Sequence, residues 1–117
     1  MTLQEMFDKA YMGLYSQGFK KCNNSVHCVY SDGKGNHCAW GWVDPTLGAD
    51  VTGRVYSLYQ SGVGIAGTLN EGQLNFASDL QGAHDASCTP KHMKRLLNNL
   101  AQQYNLLVPI LLERRYK

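Results

Sequence analysis

Apolar residues recur at helical spacing in three stretches of the chain, and each stretch carries its own start signal. Leu3, Met6, Phe7, Ala10, Tyr11 and Leu14 form one stripe, opened by the capping pair Thr2 and Glu5 and stopped at Gly18. Asn70 and Gln73 make a second capping pair, ahead of a stripe of Leu74, Ala77, Leu80 and His84. Thr89 and Pro90 open a third helix, whose apolar face is Met93, Leu96, Leu97, Leu100, Ala101 and Tyr104. Residues 27–42, HCVYSDGKGNHCAWGW, follow a different rule. Asp32-Gly33 and Gly35-Asn36 supply turn chemistry, while Val29, Tyr30, Trp40 and Trp42 suit a pleated surface, so the segment predicts a β-hairpin. Its second strand is expected to end at Val43-Asp44-Pro45, because proline cannot donate to a ladder. Residues 54–60 predict a short helix, with a strand as the alternative, and Gly62, Gly64, Gly67 and Gly72 break whatever follows. Residues 106–112 are apolar except for Pro109, as in an edge strand or an extended tail on the core. The expected fold is one globular α+β domain over residues 1–117, mostly helical, with one β-hairpin packed against amphipathic helices.

A 44% hydrophobic content over 117 residues is enough for one core without covalent staples. No apolar run reaches the length of a membrane span, and the amino terminus lacks the pattern of a secretory signal, so a soluble cytoplasmic protein with four reduced cysteines is expected. The net charge of +2 is too small to point to nucleic acid as the partner. Basic residues do gather late in the chain, at Lys91, Lys94 and Arg95 and at Arg114, Arg115 and Lys117, where a solvated face is the ordinary meaning.

The hairpin decides what its thiols and imidazoles can do. With Gly33 at the tip, Cys28 lies opposite Cys38, while His27 pairs with Ala39 and His37 with Val29, so the histidines and the cysteines occupy different faces. No metal or other cofactor is expected. A zinc site would need Cys28 and Cys38 with a distant ligand such as His84, His92, Cys22 or Cys88. Gly62, Gly64 and Gly67 match the glycines of a dinucleotide fingerprint, but no room remains for its helix before the next one starts. His84-Asp85 has the form of a metal-ligating doublet without its companions. Neighbouring helical side chains also diverge by about 100°, so Asp85 is not expected to orient His84. His84 is expected inside, on the stripe. No catalytic constellation emerges, which favours a binding protein over an enzyme.

Seven tyrosines and two tryptophans supply large contact area with a polar edge, and Tyr30, Trp40, Trp42, Tyr56, Tyr59 and Arg95 are the candidate binding residues. The chain also resembles a group of small, uncharacterised proteins of tailed bacteriophages and their prophages. The matching pieces are Gln17-Gly18 at the end of the first helix, Cys28-Val29-Tyr30 with residues 35–41, and residues 80–85, LQGAHD. The resemblance implies a virus-encoded accessory protein in the host cytoplasm that acts on a host macromolecule, as in counter-defence or host takeover. Two alternatives remain open. One is a protein that sequesters or cleaves a small phosphorylated or nucleotide signal, using the glycine-rich loop and the late basic residues. The other is a zinc-stabilised interaction module, and self-association is compatible with all three.

Overall fold

The computed structural model describes residues 1–21 and 30–109. Five α-helices and one 3₁₀ turn make up the regular structure there: α1 (Leu3–Ser16), α2 (Ala39–Val43), α3 (Val55–Gln60), the 3₁₀ turn (Gly64–Thr68), α4 (Glu71–Ala86) and α5 (Pro90–Gln103). The three apolar stripes become α1, α4 and α5. In α1 the Thr2 hydroxyl accepts from the Glu5 amide at 3.1 Å and Glu5 Oε1 accepts from the Thr2 amide at 2.8 Å. Asn70 and Gln73 repeat this exchange at the start of α4, at 2.8 and 2.9 Å. The Thr89 hydroxyl accepts from the His92 amide at 3.0 Å at the start of α5. Each cap satisfies amides that the first helical turn leaves unpaired.

The expected hairpin does not form, and the α+β assignment is overturned: among the described residues there is no strand or sheet. What survives is a tight turn. Its only ladder element is an isolated antiparallel bridge between Ser31 and His37, supported by Asp32 N–H to Asn36 O at 3.1 Å and Cys38 N–H to Tyr30 O at 3.3 Å. These pairs put the tip at Lys34, not Gly33, and set Cys38 across from Tyr30. Cys28, the expected partner of Cys38, lies outside the described residues.

Beyond Cys38 the chain turns into a helix where a second strand was expected. The Cys38 thiol accepts from the Gly41 amide at 3.4 Å and acts as the N-cap of α2. In a strand Trp40 and Trp42 would share a face. On a helix two residues apart they diverge, and each finds its own site. Trp40 is fully buried in the core, whereas Trp42 is half-buried over α1. A Cβ at Gly13 would overlap the Trp42 indole, and a Cβ at Gly41 would overlap the Tyr30 carbonyl, so two glycines permit the α1 and α2 backbones to approach their neighbours.

Gln17, the C-cap of α1, joins these parts through one amide. Its Oε1 accepts from Trp42 Nε1 and from the His37 amide, both at 3.0 Å, and its Nε2 donates to the His37 carbonyl at 2.7 Å. Asp44, at the other end of α2, is buried with its carboxylate satisfied by donors: Thr46 N–H and Oγ1 on one oxygen, and Ile65 N–H at 2.9 Å on the other. α2 thereby sits between α1 and α4 and is tied to the 3₁₀ turn. After α5, residues 106–109 have no regular structure, Leu106 and Val108 pack against the core, and Gln4 donates to the Leu107 carbonyl and accepts from its amide, both at 2.9 Å. Residues 110–112 of the expected apolar tail lie outside the described residues.

Two helical glycines should respond to alanine with opposite signs. Gly13→Ala must displace Trp42, an overpacking that costs about 1–3 kcal/mol. Gly82→Ala meets open space in the middle of α4 and should add about 0.5–1 kcal/mol through helix propensity. Urea denaturation of both variants checks this, and a stable Gly13→Ala would refute the packing of α2 on α1. A second expectation concerns alkaline pH. The Tyr104 hydroxyl donates to Asp79 at 2.5 Å, and that bond, with burial and the nearby carboxylate charge, pushes the phenol up to about 12 from an ordinary 10. The fold thus prefers the protonated phenol, so its contribution is intact below pH 10 and is lost as pH rises from 10 through 12. Tyr104→Phe should flatten the fall in stability over that window relative to the native chain.

Candidate functional site

α3 and α4 meet across an open cleft of about 540 Å³. One wall is the start of α3, Gly53 to Tyr56. The other is Ser78, Gln81, Gly82 and Asp85, which follow one another at helical spacing along the side of α4 away from Ala77, Leu80 and His84. Gly82 has no side chain to fill the gap, and a Cβ there would touch nothing. The α3 wall is fixed from beneath by Tyr30, whose hydroxyl donates to the Gly53 carbonyl at 2.5 Å. Gly53 takes φ +100°, a conformation that L side chains rarely adopt, and so turns the chain into α3 with Arg54 at the rim.

A hydrogen-bonded line runs from the core to the α4 wall. The Trp40 amide donates to Gln81 Oε1 at 3.0 Å, Gln81 Nε2 donates to Asp85 Oδ1 at 3.1 Å, and His84 Nδ1 lies 3.0 Å from the same oxygen. A carboxylate only accepts, so the His84 proton in this contact sits on Nδ1, and the ring's other nitrogen is Nε2. That nitrogen is sealed in the core without a partner. His84 is fully buried while the Asp85 side chain is 53% exposed, so the pair spans the boundary between core and cleft. The contact corrects the expectation that adjacent helical residues cannot meet. The roughly 100° between their Cα–Cβ directions leaves the side-chain torsions free, and in the last turn of α4 the short Asp85 side chain folds back onto the ring. Lys21 donates to the Asp85 carbonyl at 2.8 Å, placing a cation where the helix end presents unpaired carbonyls.

The candidate binding residues of the sequence separate into two groups. Tyr30 and Trp40 are buried and structural. Trp42 is half-buried, donating to Gln17 and stacking edge-on to His37 with ring centroids 4.6 Å apart. Tyr56 and Tyr59 face outward on α3, 51% and 36% exposed, with ring centroids 6.1 Å apart. Arg95 is exposed on α5, which contributes nothing to the cleft. Only Tyr56 among the six lines the cleft. Asp85 stands out in the sequence only as half of the His84-Asp85 doublet, and Arg54, Ser78, Gln81 and Gly82 carry no site signal there, because polar residues at helical spacing ordinarily mean a solvated face. The signals that could have found them are an arginine at a helix start and a polar stripe interrupted by glycine.

Among the described residues no three His, Cys, Asp or Glu side chains come together to hold a metal. The Cys38 thiol caps α2 and His84 is held by Asp85, so these two are not presented jointly to a ligand, and Cys28 lies outside the described residues. The glycine loop is engaged with its own protein. Gly67 packs against the Gly62 backbone, Gly64 lies against the Asp44 carboxylate, and the Ile65 amide, which an anion would need, already donates to Asp44. No described helix is long and apolar enough to cross a membrane. The chain matches no family model, and no curated protein or solved structure is significantly similar to it.

Gln81→Ala should cost about 1–3 kcal/mol, because it strands the part-buried Trp40 amide without an acceptor. Asp85→Asn keeps a carbonyl oxygen for His84 and should cost less. Thermal or urea melts of the two variants check this, and equal, negligible losses would show that the line from Trp40 to Asp85 carries no stability.

Proposed function

We propose that this protein works by binding and not by catalysis: a virus-encoded accessory factor that engages a host protein through the exposed face of α3. The observation that carries this reading is the pair Tyr56 and Tyr59, large rings left side by side in solvent at the edge of a cleft. Tyrosine and arginine concentrate binding energy at protein interfaces, since they offer broad apolar contact with a polar end, and Arg54 lines the cleft together with Tyr56. The groups that invite an enzymatic reading have structural occupations that support the same conclusion. The Cys38 thiol caps a helix and the free nitrogen of His84 is closed off from solvent. The resemblance to phage proteins adds the setting, a host cytoplasm in which a small factor blocks a defence or redirects an enzyme.

The test is capture from bacterial host lysate with the full chain and with Tyr56→Ala and Tyr59→Ala. One dominant host protein should be recovered, and each substitution should weaken its binding about tenfold or more, equivalent to at least about 1.4 kcal/mol. Because both rings are exposed, the melting temperatures of the variants should stay close to that of the native chain. If no protein is enriched and a panel of nucleotides raises the melting temperature instead, a small phosphorylated ligand replaces the host protein.

A further inference from the structure

We infer that α5 is a DNA-reading helix, which lays its outward face in the major groove of a duplex with phosphates on Lys20 and Lys91 and base edges on Arg95, Asn99 and Gln102. This surface is separate from the α3 tyrosines. The first argument is the make-up of the face. Met93, Leu97, Leu100 and Ala101 are buried, and the opposite side of the helix presents Lys91, Arg95, Asn99 and Gln102, all exposed. Cations and side-chain amides are the groups that contact phosphates and base edges, arginine pairing with guanine and asparagine or glutamine with adenine. The stripe holds neither an aromatic residue nor a carboxylate. Protein interfaces draw on aromatic anchors and are poor in lysine, and single strands are held by stacking on rings, so the face suits neither. The major groove of an RNA duplex is too narrow to be read, whereas that of DNA admits a helix. From Lys91 to Gln102 the stripe rises about 16 Å, enough to follow roughly five base pairs. Among the helices α5 packs chiefly on α4, which leaves its outer side open to a partner.

The second argument is where the charges stand. No carboxylate occurs between Asp85 and Glu113, a stretch that carries Lys91, Lys94 and Arg95. α1 and α4 each place a glutamate in the first turn, as the helix dipole favours, but α5 has Lys91 there, no acid, and no cation in its last turn. That arrangement disfavours the free helix and is relieved by an anion near its start. Lys20 and Lys21 extend the basic surface. A shallow depression of about 250 Å³ has these two lysines on one side and Cys88, Thr89 and Pro90 on the other, and no carboxylate lines it. Lys21 is held there by the Asp85 carbonyl, while Lys20 is exposed. Toward the end of α5, Asp79 shares a depression with Asn99 and Gln103 and is engaged by the Tyr104 hydroxyl, so the basic surface stops there. The whole-chain charge of +2 averages this face with the acids of α1, α4 and the loops, which is why composition hides it.

Fluorescence polarisation of the full chain with a labelled random-sequence DNA duplex, repeated between about 50 and 200 mM salt, tests the inference. The duplex should bind, with the logarithm of the affinity falling linearly in the logarithm of salt concentration. Lys20→Ala and Lys91→Ala should each weaken binding to every sequence and reduce that slope by about one. Selection from a duplex library should enrich one short motif. Asn99→Ala should then relax the preference at one base pair and leave the salt slope unchanged, a split that a merely structural role does not produce. These positions are exposed, so melting temperatures close to that of the native chain are expected. Tyr56→Ala and Tyr59→Ala should leave DNA binding unaltered, which separates this result from the fate of the protein-binding reading. Equal affinity for duplex, single strand and heparin, with no enriched motif, would overturn the inference and reduce the face to a general polyanion surface. No binding to DNA at about 50 mM salt would also overturn it. If host-protein capture is then lost in Lys91→Glu, the face takes an acidic protein instead.

Discussion

A helix of five residues cannot hold itself together, since nucleation fixes more backbone torsions than its few hydrogen bonds offset. α2 is such a helix, and it lies between α1 and α4 with Trp40 fully buried. It persists because other parts of the chain satisfy its backbone. The Trp40 amide is taken by Gln81 of α4, the Gly41 amide by the Cys38 thiol, and the Cys38 amide by the Tyr30 carbonyl. The far end is closed by Asp44, whose buried carboxylate reaches both Thr46 and the 3₁₀ turn. The arrangement of α1, α4 and the loop before α3 is thus set around one short segment, and the cleft inherits its shape from it.

That dependence explains which parts of the structure were legible in the chain. α1, α4 and α5 are long enough for apolar spacing and capping pairs to act locally, and they form where Thr2, Asn70 and Thr89 place their starts. Residues 39–43 look like a half-buried strand because Ala-Trp-Gly-Trp-Val alternates large and small residues, yet they form α2. The deciding facts, a tryptophan amide bound by a distant glutamine and a glycine pressed on the Tyr30 carbonyl, are tertiary and leave no periodic trace. The site divides along the same line. Tyr56 and Tyr59 were visible as aromatic residues, whereas Arg54 and Asp85 belong to separate segments and acquire a common space only when α3 packs on α4. His84 fell on its stripe, but the bend of Asp85 back to it depended on a side-chain torsion that spacing does not encode.

Core and cleft are connected through side chains that have two duties. Gln81 satisfies a buried amide on one side and fixes Asp85 on the other; Tyr30 fills the core with its ring and holds Gly53 with its hydroxyl. A cleft built this way is supported by the same bonds that keep α2 folded. Rigid support of this kind reduces the ordering that association would otherwise have to impose on the surface.

Gln4 and Gln17 have a further consequence. Each side-chain amide accepts from and donates to the backbone of one residue, Leu107 and His37 respectively, as a neighbouring strand would. Two glutamines therefore stand in for a sheet edge in a molecule whose described part has no sheet, and they read main-chain atoms that every residue other than proline possesses. The side chain at 107 projects into solvent, 80% exposed, while its backbone is the part being held. Anchoring and identity are decoupled there, so the outer face of this segment is open to drift in sequence without loosening its attachment.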